Sequence, residues 1–211
     1  MDLVFSLAIL VFSTILHELA HGFVADKLGD PTPRLSGRLT LNPRPHIDPY
    51  MSILLPLLLF MSGSPVIFGA AKPVPVDPFN LKEGRKDVAL VSLSGPLTNF
   101  LLALFASFCI KFFTLGIVSF NPVLSLLSLF FYKVLEINLF LGIFNLLPIP
   151  PLDGSKIFAL LLPERESALY LSFGSIGMFI LFFLLAFPIG GFSLGGFVYN
   201  LFLFAQNLLL K

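Results

Sequence analysis

The stretch His17-Glu18-Leu19-Ala20-His21 lies within an apolar run that begins at Leu3. Residues four positions apart lie on the same face of an α-helix, so the imidazoles of His17 and His21 can bind one metal ion. Glu18 lies about 100° around the helix from His17, where a carboxylate polarises a metal-bound water but is poorly placed as a ligand. The stretch therefore predicts a membrane helix that holds a metal-activated water, with Glu18 as the general base.

The same motif also occurs by chance in soluble helices, where its histidines are surface residues or hydrogen-bonded core residues. Here the flanking residues Phe12, Ile15 and Leu16 help to make the helix apolar on nearly every side, which favours a lipid environment. Each ionisable group in hydrocarbon costs about 2.5–3.5 kcal/mol. Three such groups in so short a stretch need a common partner, and a metal ion at membrane depth is one.

The composition is that of an integral membrane protein. Of the 211 residues, 56% are hydrophobic and 12% are charged, and the mean hydropathy is +0.95. A soluble domain averages about 25% charged residues. The formal net charge of +1 gives no electrostatic footprint for nucleic acid. The single Cys109 excludes an intramolecular disulfide and a cysteine-rich zinc site.

The first apolar run differs from a secretory signal peptide. Asp2 is its only early charge, so the basic leading region of a signal peptide is missing. The run also carries the metal motif, which cleavage would remove. We therefore expect it to be a retained membrane helix.

Apolar segments along the chain predict an all-α polytopic membrane protein. The predicted membrane helices cover residues 1–24, 88–113, 121–147, 167–187 and 196–210. Residues 51–61 are apolar but interrupted by Pro56 and too short to span as a helix, which indicates a re-entrant segment. The expected total is thus five to six membrane helices. We expect residues 1–211 to form a single domain, with a core at 1–165 and C-terminal helices at 166–211.

Two segments near the first helix have the pattern of β-strands. Residues 34–41 alternate apolar and polar side chains, and residues 65–76 suit an extended edge strand because they contain Pro73 and Pro75. Non-helical backbone is tolerated at membrane depth only where protein or water covers it. We therefore predict a small β-ribbon or re-entrant segment that lines a cavity near the active site.

The basic residues predict the orientation of the chain. With the first helix ending in the cytoplasm, eleven of the thirteen Lys and Arg residues fall on the cytoplasmic side. The exceptions are Lys111 at a helix end and Lys133, which has Glu136 nearby as a partner. We expect a multi-pass protein of the plasma (inner) membrane, with its site toward the cytoplasmic face.

This topology brings Asp153 to the membrane face that carries the two histidines. Catalytic zinc normally takes three protein ligands and a water, and a carboxylate after the break at Pro148, Pro150 and Pro151 can turn inward. Asp153 is therefore the candidate third ligand. The alternative is that Asp153 caps a short helix that follows it.

Further motifs accompany the first one along most of residues 10–160. In chain order they are Gly37-Arg38-Leu39-Thr40-Leu41-Asn42-Pro43, His46-Ile47-Asp48-Pro49, Ala71-Lys72-Pro73-Val74-Pro75-Val76, Gly95-Pro96-Leu97-Thr98-Asn99, and the segment from Asn145 to the ending Pro150-Pro151-Leu152-Asp153-Gly154. With these motifs the sequence resembles the site-2 protease family of intramembrane zinc metalloproteases. It resembles the short branch of that family, because no soluble stretch exceeds about 25 residues.

The resemblance implies one zinc ion bound by His17, His21 and Asp153, with Glu18 as general base, in a helical membrane core. It also implies that Asn145 contacts the substrate carbonyl or the oxyanion.

Asn99 is a second candidate for that contact. For both asparagines the alternative is hydrogen bonding between helices of the bundle. His46 competes as a third metal ligand, although histidines in proline-flanked loops are more often hydrogen-bonded scaffold residues.

We therefore expect an intramembrane zinc metalloprotease that cleaves in or near transmembrane segments of other membrane proteins. Its role would be regulated intramembrane proteolysis or the clearance of signal-peptide remnants, and its partners a substrate transmembrane segment and the lipid bilayer. A zinc carrier or sensor is the first alternative, but the paired repeats typical of transporters are not found in the sequence. An inactive scaffold is the second, which the presence of Glu18 disfavours. The sequence does not predict the oligomeric state.

Overall fold

The computed structural model describes residues 2–54, 58, 61, 72–114 and 122–211, and its regular structure is helical. The α-helices are α1 (Asp2–Leu28), α2 (Thr32–Leu35), α3 (Arg85–Thr114), α4 (Pro122–Asn145), α5 (Asp153–Ala159), α6 (Glu164–Ser172), α7 (Gly174–Ala186) and α8 (Leu194–Leu210). Short 3-10 turns cover Arg44–His46 and Pro78–Asn80, and a π-helical segment covers Pro49–Leu54. The predicted all-α class is confirmed.

Among the described residues, the three helices α1, α3 and α4 are long and apolar enough to cross a membrane. The count becomes four if α6 and α7, which meet at a bend of 72°, form one broken span. Helix α8 is apolar but has 17 residues, fewer than the roughly 20 that a transmembrane helix needs. The predicted helical architecture of an integral membrane protein is confirmed, whereas the predicted total of five to six membrane helices is not.

The β-strand predicted for residues 34–41 is wrong. The chain forms α2 at Thr32–Leu35 instead, because Pro33 lies in the first helical turn, where its fixed φ and missing N–H are tolerated. Gly37 then takes φ +67°, a left-handed conformation that glycine adopts readily after a helix. A short run of alternating residues therefore did not outweigh the helix start and stop signals at its ends.

The other parts of the predicted ribbon are only partly described. Residues 72–76 belong to no β-strand. Residues 65–71, and most of the re-entrant segment predicted for 51–61, lie outside the described residues.

Helix α3 is the centre of the fold and packs against α1, α4, α5 and α8. Ala103 and Ala106 of α3 are fully buried against Leu135 and Leu139 of α4. Small residues at such contacts let helix backbones approach closely, which is how membrane helices gain packing energy. The bundle formed in this way carries the candidate site.

The chain between α4 and α5 is broken by prolines. Pro148, Pro150 and Pro151 lie in this break, and none of them has the N–H that a continuing helix needs. Leu147 and Leu152 are buried in an apolar cluster with residues of α7 and α8. The C-terminal helices therefore anchor the break, and α5 begins against the bundle.

Candidate metal centre

Two histidines of α1 and one aspartate at the start of α5 converge in the interior. Nε2 of His17 and Nε2 of His21 lie 3.0 Å apart, and each lies 3.1 Å from Oδ2 of Asp153. All three residues are buried. Each offers one ligand atom, and these atoms are close enough to hold one metal ion. Segments more than 130 residues apart in the chain thus form one compact group.

The second nitrogen of each imidazole bonds to an acceptor. Nδ1 of His17 lies 2.6 Å from Oδ1 of Asn99, and Nδ1 of His21 lies 2.7 Å from the carbonyl oxygen of Val91. Carbonyl oxygens only accept, so each Nδ1 carries the proton and each Nε2 of a neutral ring turns its lone pair toward the centre. This is the tautomer in which histidine binds a metal through Nε2.

The spacing and chemistry of the three atoms fit zinc. Tetrahedral zinc binds nitrogen and oxygen at about 2.0–2.2 Å, which separates its ligand atoms by about 3.3–3.5 Å. The observed separations of 3.0 and 3.1 Å differ from this by a few tenths of an ångström. Two lone-pair nitrogens and a carboxylate oxygen in such proximity repel one another unless a cation lies among them.

Asp153 is the first residue of α5, but its carboxylate does not cap that helix. Leu152 occupies the N-cap position, and no side chain caps this end of the helix, so the alternative role for Asp153 is wrong. Oδ2 faces both imidazoles, while Oδ1 lies 3.4 Å from Nζ of Lys156. Burial by itself raises the pKa of this carboxyl, but the contacts with His17 and His21 and the charge of Lys156 hold the pKa well below its ordinary value. The carboxylate is therefore charged at neutral pH, the form that binds a cation.

Glu18 lines a cavity of ≈ 330 Å³ beside the two histidines. Its Oε2 accepts a hydrogen bond of 2.7 Å from the backbone N–H of Val74. Glu18 is not a member of the three-ligand group, as its position on the helix predicts. One carboxylate oxygen is thus held by the protein backbone, and the side chain is half-buried at the edge of the site.

Gly95 lets α3 approach the two imidazoles. A Cβ at this position would lie 2.5 Å from Nε2 of His21 and 2.6 Å from Cε1 of His17. Any larger residue therefore displaces the rings. Sequence reasoning used Gly95 only as part of a motif, although a glycine within a long apolar helix is itself a signal of close backbone approach.

The two predicted substrate contacts have different surroundings. Asn145 lines the cavity, and its Nδ2 donates to the carbonyl of Leu141 at 3.0 Å. Asn99 is fully buried, and both ends of its amide are engaged, by His17 and Asn138. The substrate contact predicted for Asn99 does not fit this placement, because its side chain lies behind the histidine and not in the cavity.

His46 lies apart from the centre, within the part of the chain that the structure describes. Its Nε2 donates to the carbonyl of Thr40 at 2.9 Å, and its own carbonyl accepts from the N–H of Lys72 at 2.8 Å. The group of metal-ligating residues does not include His46. The scaffold interpretation of this histidine fits these contacts.

The fold and the site together define a helical membrane protein in which two histidines and an aspartate form a buried group that could hold one metal ion. Residues 115–188 match the family described as Peptidase family M50. The "Putative zinc metalloprotease YwhC" of Bacillus subtilis is 38% identical over 186 residues, which are 88% of this chain and 81% of that protein. The chain belongs to peptidase family M50, which confirms its resemblance to the site-2 proteases.

Two further relatives match over shorter shares of their own length. The "Putative zinc metalloprotease Rip2" of Mycobacterium tuberculosis is 34% identical over 74% of this chain and 57% of that protein. The "Zinc metalloprotease MJ0392" of Methanocaldococcus jannaschii is 29% identical over 75% of this chain and 35% of that protein. No solved structure matches the chain.

Proposed function

We propose that this zinc metalloprotease hydrolyses peptide bonds in or near transmembrane segments of other membrane proteins. His17, His21 and Asp153 would hold the zinc ion, and Glu18 would be the general base. The family and the names of the relatives support the zinc metalloprotease class. The observation that carries the residue assignment is the convergence of two Nε2 atoms and one carboxylate oxygen within 3.1 Å of one another.

The chain's own residues supply the proton transfers of the reaction. A zinc ion held by His17, His21 and Asp153 would acidify a water and polarise the scissile carbonyl. Glu18 accepts the proton of the attacking water and passes it to the leaving amine. The N–H of Val74 occupies Oε2 of Glu18, which leaves Oε1 for this transfer.

Asn145 is the proposed contact for the substrate carbonyl. Its amide group has two N–H donors, and the carbonyl of Leu141 accepts from one of them. The second donor is available at the cavity wall, where an Asn side chain can stabilise an oxyanion.

The substrate must be locally unwound. A transmembrane helix holds its peptide groups in its own hydrogen bonds. It must therefore open locally before water can attack one of its peptide bonds at the centre. The opened segment would lie in the cavity of ≈ 330 Å³ beside Glu18.

We propose that residues 1–211 act as one membrane-embedded domain, with a core at 1–165 and C-terminal helices at 166–211. The apolar cluster that joins Leu147 and Leu152 to α7 and α8 supports this, because the C-terminal helices pack on the segment that delivers Asp153. The bent pair α6–α7 and a tilted α8 would add two spans to α1, α3 and α4.

The proposed location is the plasma (inner) membrane, with the metal centre toward the cytoplasm. The basic residues near the site support this orientation by the positive-inside rule. Lys133, one of the two exceptions, lies 2.6 Å from Glu136, so its charge is paired within α4.

The experiment is to co-express Glu18→Gln with a single-span reporter and with a signal-peptide remnant. We expect wild-type zinc content and a loss of cleavage of about 10²–10⁴-fold, the usual contribution of a general base. Glu83→Gln is the matched control, since Glu83 is exposed, lies 3.5 Å from Nζ of Lys86 and is not one of the residues that line the cavity. The substrate that wild type cleaves distinguishes regulated proteolysis from remnant clearance. Unchanged cleavage by Glu18→Gln would remove Glu18 from the mechanism, and loss of zinc would make it a ligand.

A further inference from the structure

A chain of buried polar side chains runs from the centre of the bundle to the metal site. Ser13 of α1, Asn138 of α4 and Asn99 of α3 are each at most 2% exposed. Nδ2 of Asn138 donates to Oγ of Ser13 at 2.8 Å, and Oδ1 of Asn138 accepts from Nδ2 of Asn99 at 2.9 Å. Asn99 in turn contacts Nδ1 of His17. Three helices thus meet in one continuous hydrogen-bonded path.

The direction of every bond in this path is fixed by one backbone carbonyl. Nδ2 of Asn138 also donates to the carbonyl oxygen of Val134 at 2.9 Å, and a carbonyl accepts only. Oδ1 of Asn138 must therefore face Asn99, which has to offer its NH₂ group. As a result Oδ1 of Asn99 faces His17 and accepts from Nδ1 at 2.6 Å.

We propose that Asn138 is a positioning residue for the metal centre. It sets the tautomer of His17 through the amide of Asn99. This inference rests on the proposed role of His17 as a zinc ligand. Asn138 itself is neither a member of the three-ligand group nor one of the residues that line the cavity. Its effect is to keep Asn99 turned so that the proton of the neutral imidazole stays on Nδ1.

The opposite orientation of Asn99 would disable the ligand. An inverted amide would present its NH₂ group to Nδ1 of His17, which would then have to accept. The proton of the neutral ring would move to Nε2, the atom that faces His21 and Asp153. A protonated Nε2 has no lone pair for a metal. Groups that fix the tautomer of a metal-binding histidine typically contribute about 10–100-fold in metal affinity.

The first experiment measures Zn²⁺ affinity by chelator competition on the purified full-length protein. Asn138→Leu keeps a similar side-chain volume but cannot orient Asn99, so we expect zinc binding about 10–100-fold weaker than wild type. Leu139→Ala is the matched control, because Leu139 is its buried neighbour on α4 and belongs to the apolar core. It should lower the melting temperature without weakening zinc binding.

The second experiment repeats Asn138→Leu in an Asn99→Asp background. A carboxylate accepts from Nδ1 of His17 in either orientation, so position 138 loses its influence on the tautomer. We expect Asn138→Leu not to weaken zinc binding in this background, because it also removes the Oδ1 that would face the carboxylate at position 99. A residue that acts only by packing would weaken zinc binding equally in both backgrounds, and that result would overturn the proposal.

The proposal and the proposed function fail in different ways. Wild-type protein that binds no zinc would contradict the metal centre itself, and the positioning role with it. Wild-type protein that binds zinc, together with an Asn138→Leu variant of equal affinity, would overturn only the role of Asn138.

Discussion

At the residue scale, Gly95 controls how closely α3 approaches the metal centre. A Cβ there would lie 2.5 Å from Nε2 of His21 and 2.6 Å from Cε1 of His17. Alanine is otherwise the better helix former by about 0.5–1 kcal/mol, so the substitution does not destabilise α3 as a helix. We predict that Gly95→Ala keeps its helix content by circular dichroism, loses at least about tenfold in zinc affinity, and does not cleave the reporter.

The control for this prediction is Gly195→Ala in α8. A Cβ at Gly195 meets its nearest neighbour, the carbonyl oxygen of Leu185, at 3.8 Å, which is ordinary contact. This variant should bind zinc like wild type. Wild-type zinc affinity in Gly95→Ala would show that the imidazoles have room to move, and would contradict the close approach of α3.

Also at the residue scale, the sequence predicts the chemistry of a local motif better than the contacts between side chains that are distant in the chain. The spacing of His17, Glu18 and His21 follows from helix geometry, and the proline break identifies Asp153 as a candidate once the topology is known. The contact between His17 and Asn99 joins residues 82 positions apart on different helices. A single sequence contains no local pattern for such a contact, so a substrate contact and a hydrogen bond between helices both stay open for Asn99 from the sequence alone.

At the element scale, Asp30 ties residues 77–80 to the end of α1. Its fully buried carboxylate accepts from the N–H and hydroxyl of Thr32, from the N–H of Asp77 and from Nδ2 of Asn80. The last two donors lie just beyond Val74. These hydrogen bonds to Asp30, here called the Asp30 clamp, therefore help to hold Val74 where it donates its N–H to Glu18, the proposed general base.

The clamp is predicted to weaken in acid. Burial raises the pKa of the Asp30 carboxyl, but the hydrogen bonds from Thr32, Asn80 and Asp77 lower the pKa by a larger amount. The net pKa therefore lies below its ordinary value of 3.8. A depressed folded-state pKa means that the stabilisation is fully present above pH 3.8 and is lost as the pH falls through the folded-state pKa. The protection factors of the amides in residues 72–80, which correct for the pH dependence of chemical exchange, should fall over that acidic range and stay constant above it.

Asp30→Asn should loosen residues 72–80 at neutral pH, as acid does in the wild-type protein. Hydrogen bonds to a charged group contribute about 1.5–3 kcal/mol, so exchange in residues 72–80 should be roughly 10- to 150-fold faster than in wild type. Asp26→Asn is the control, because Asp26 pairs with the exposed Arg34, and such surface pairs contribute little. Equal exchange rates in the two variants would contradict the clamp.

The elements also differ in how well the sequence predicts them. The long apolar runs predict α1, α3 and α4 within a few residues, because a run of that length has few alternatives in a membrane. Helix α1 continues to Leu28, where Gly29 takes φ +114° and ends it. The eight residues at 34–41 are too few for alternation to be decisive, since the helix signals at Pro33 and Gly37 act on the same backbone.

At the scale of the whole molecule, the metal centre fixes which helix ends lie together. The C-terminal half of α1, the N-terminal half of α3 and the start of α5 meet at the three ligands and their hydrogen-bond partners. Arg85 begins α3 on this side and donates to the carbonyls of Ala159 and Leu162. Lys27 and Lys86 lie at the same ends of α1 and α3. This concentration of basic residues favours the cytoplasmic side for the centre.

Cysteine labelling in a Cys109→Ala background tests this orientation. Lys86→Cys places a thiol at an exposed position on the side of the metal centre, and Phe192→Cys places one at an exposed position between α7 and α8. If the centre faces the cytoplasm and α6–α7 crosses the membrane, a membrane-impermeant maleimide should label Phe192→Cys in intact cells. It should label Lys86→Cys only after permeabilisation. The reversed labelling pattern would put the metal centre outside the cell. Protection of both thiols in intact cells would place both positions on the cytoplasmic side, which would mean that the bent pair α6–α7 does not cross the membrane.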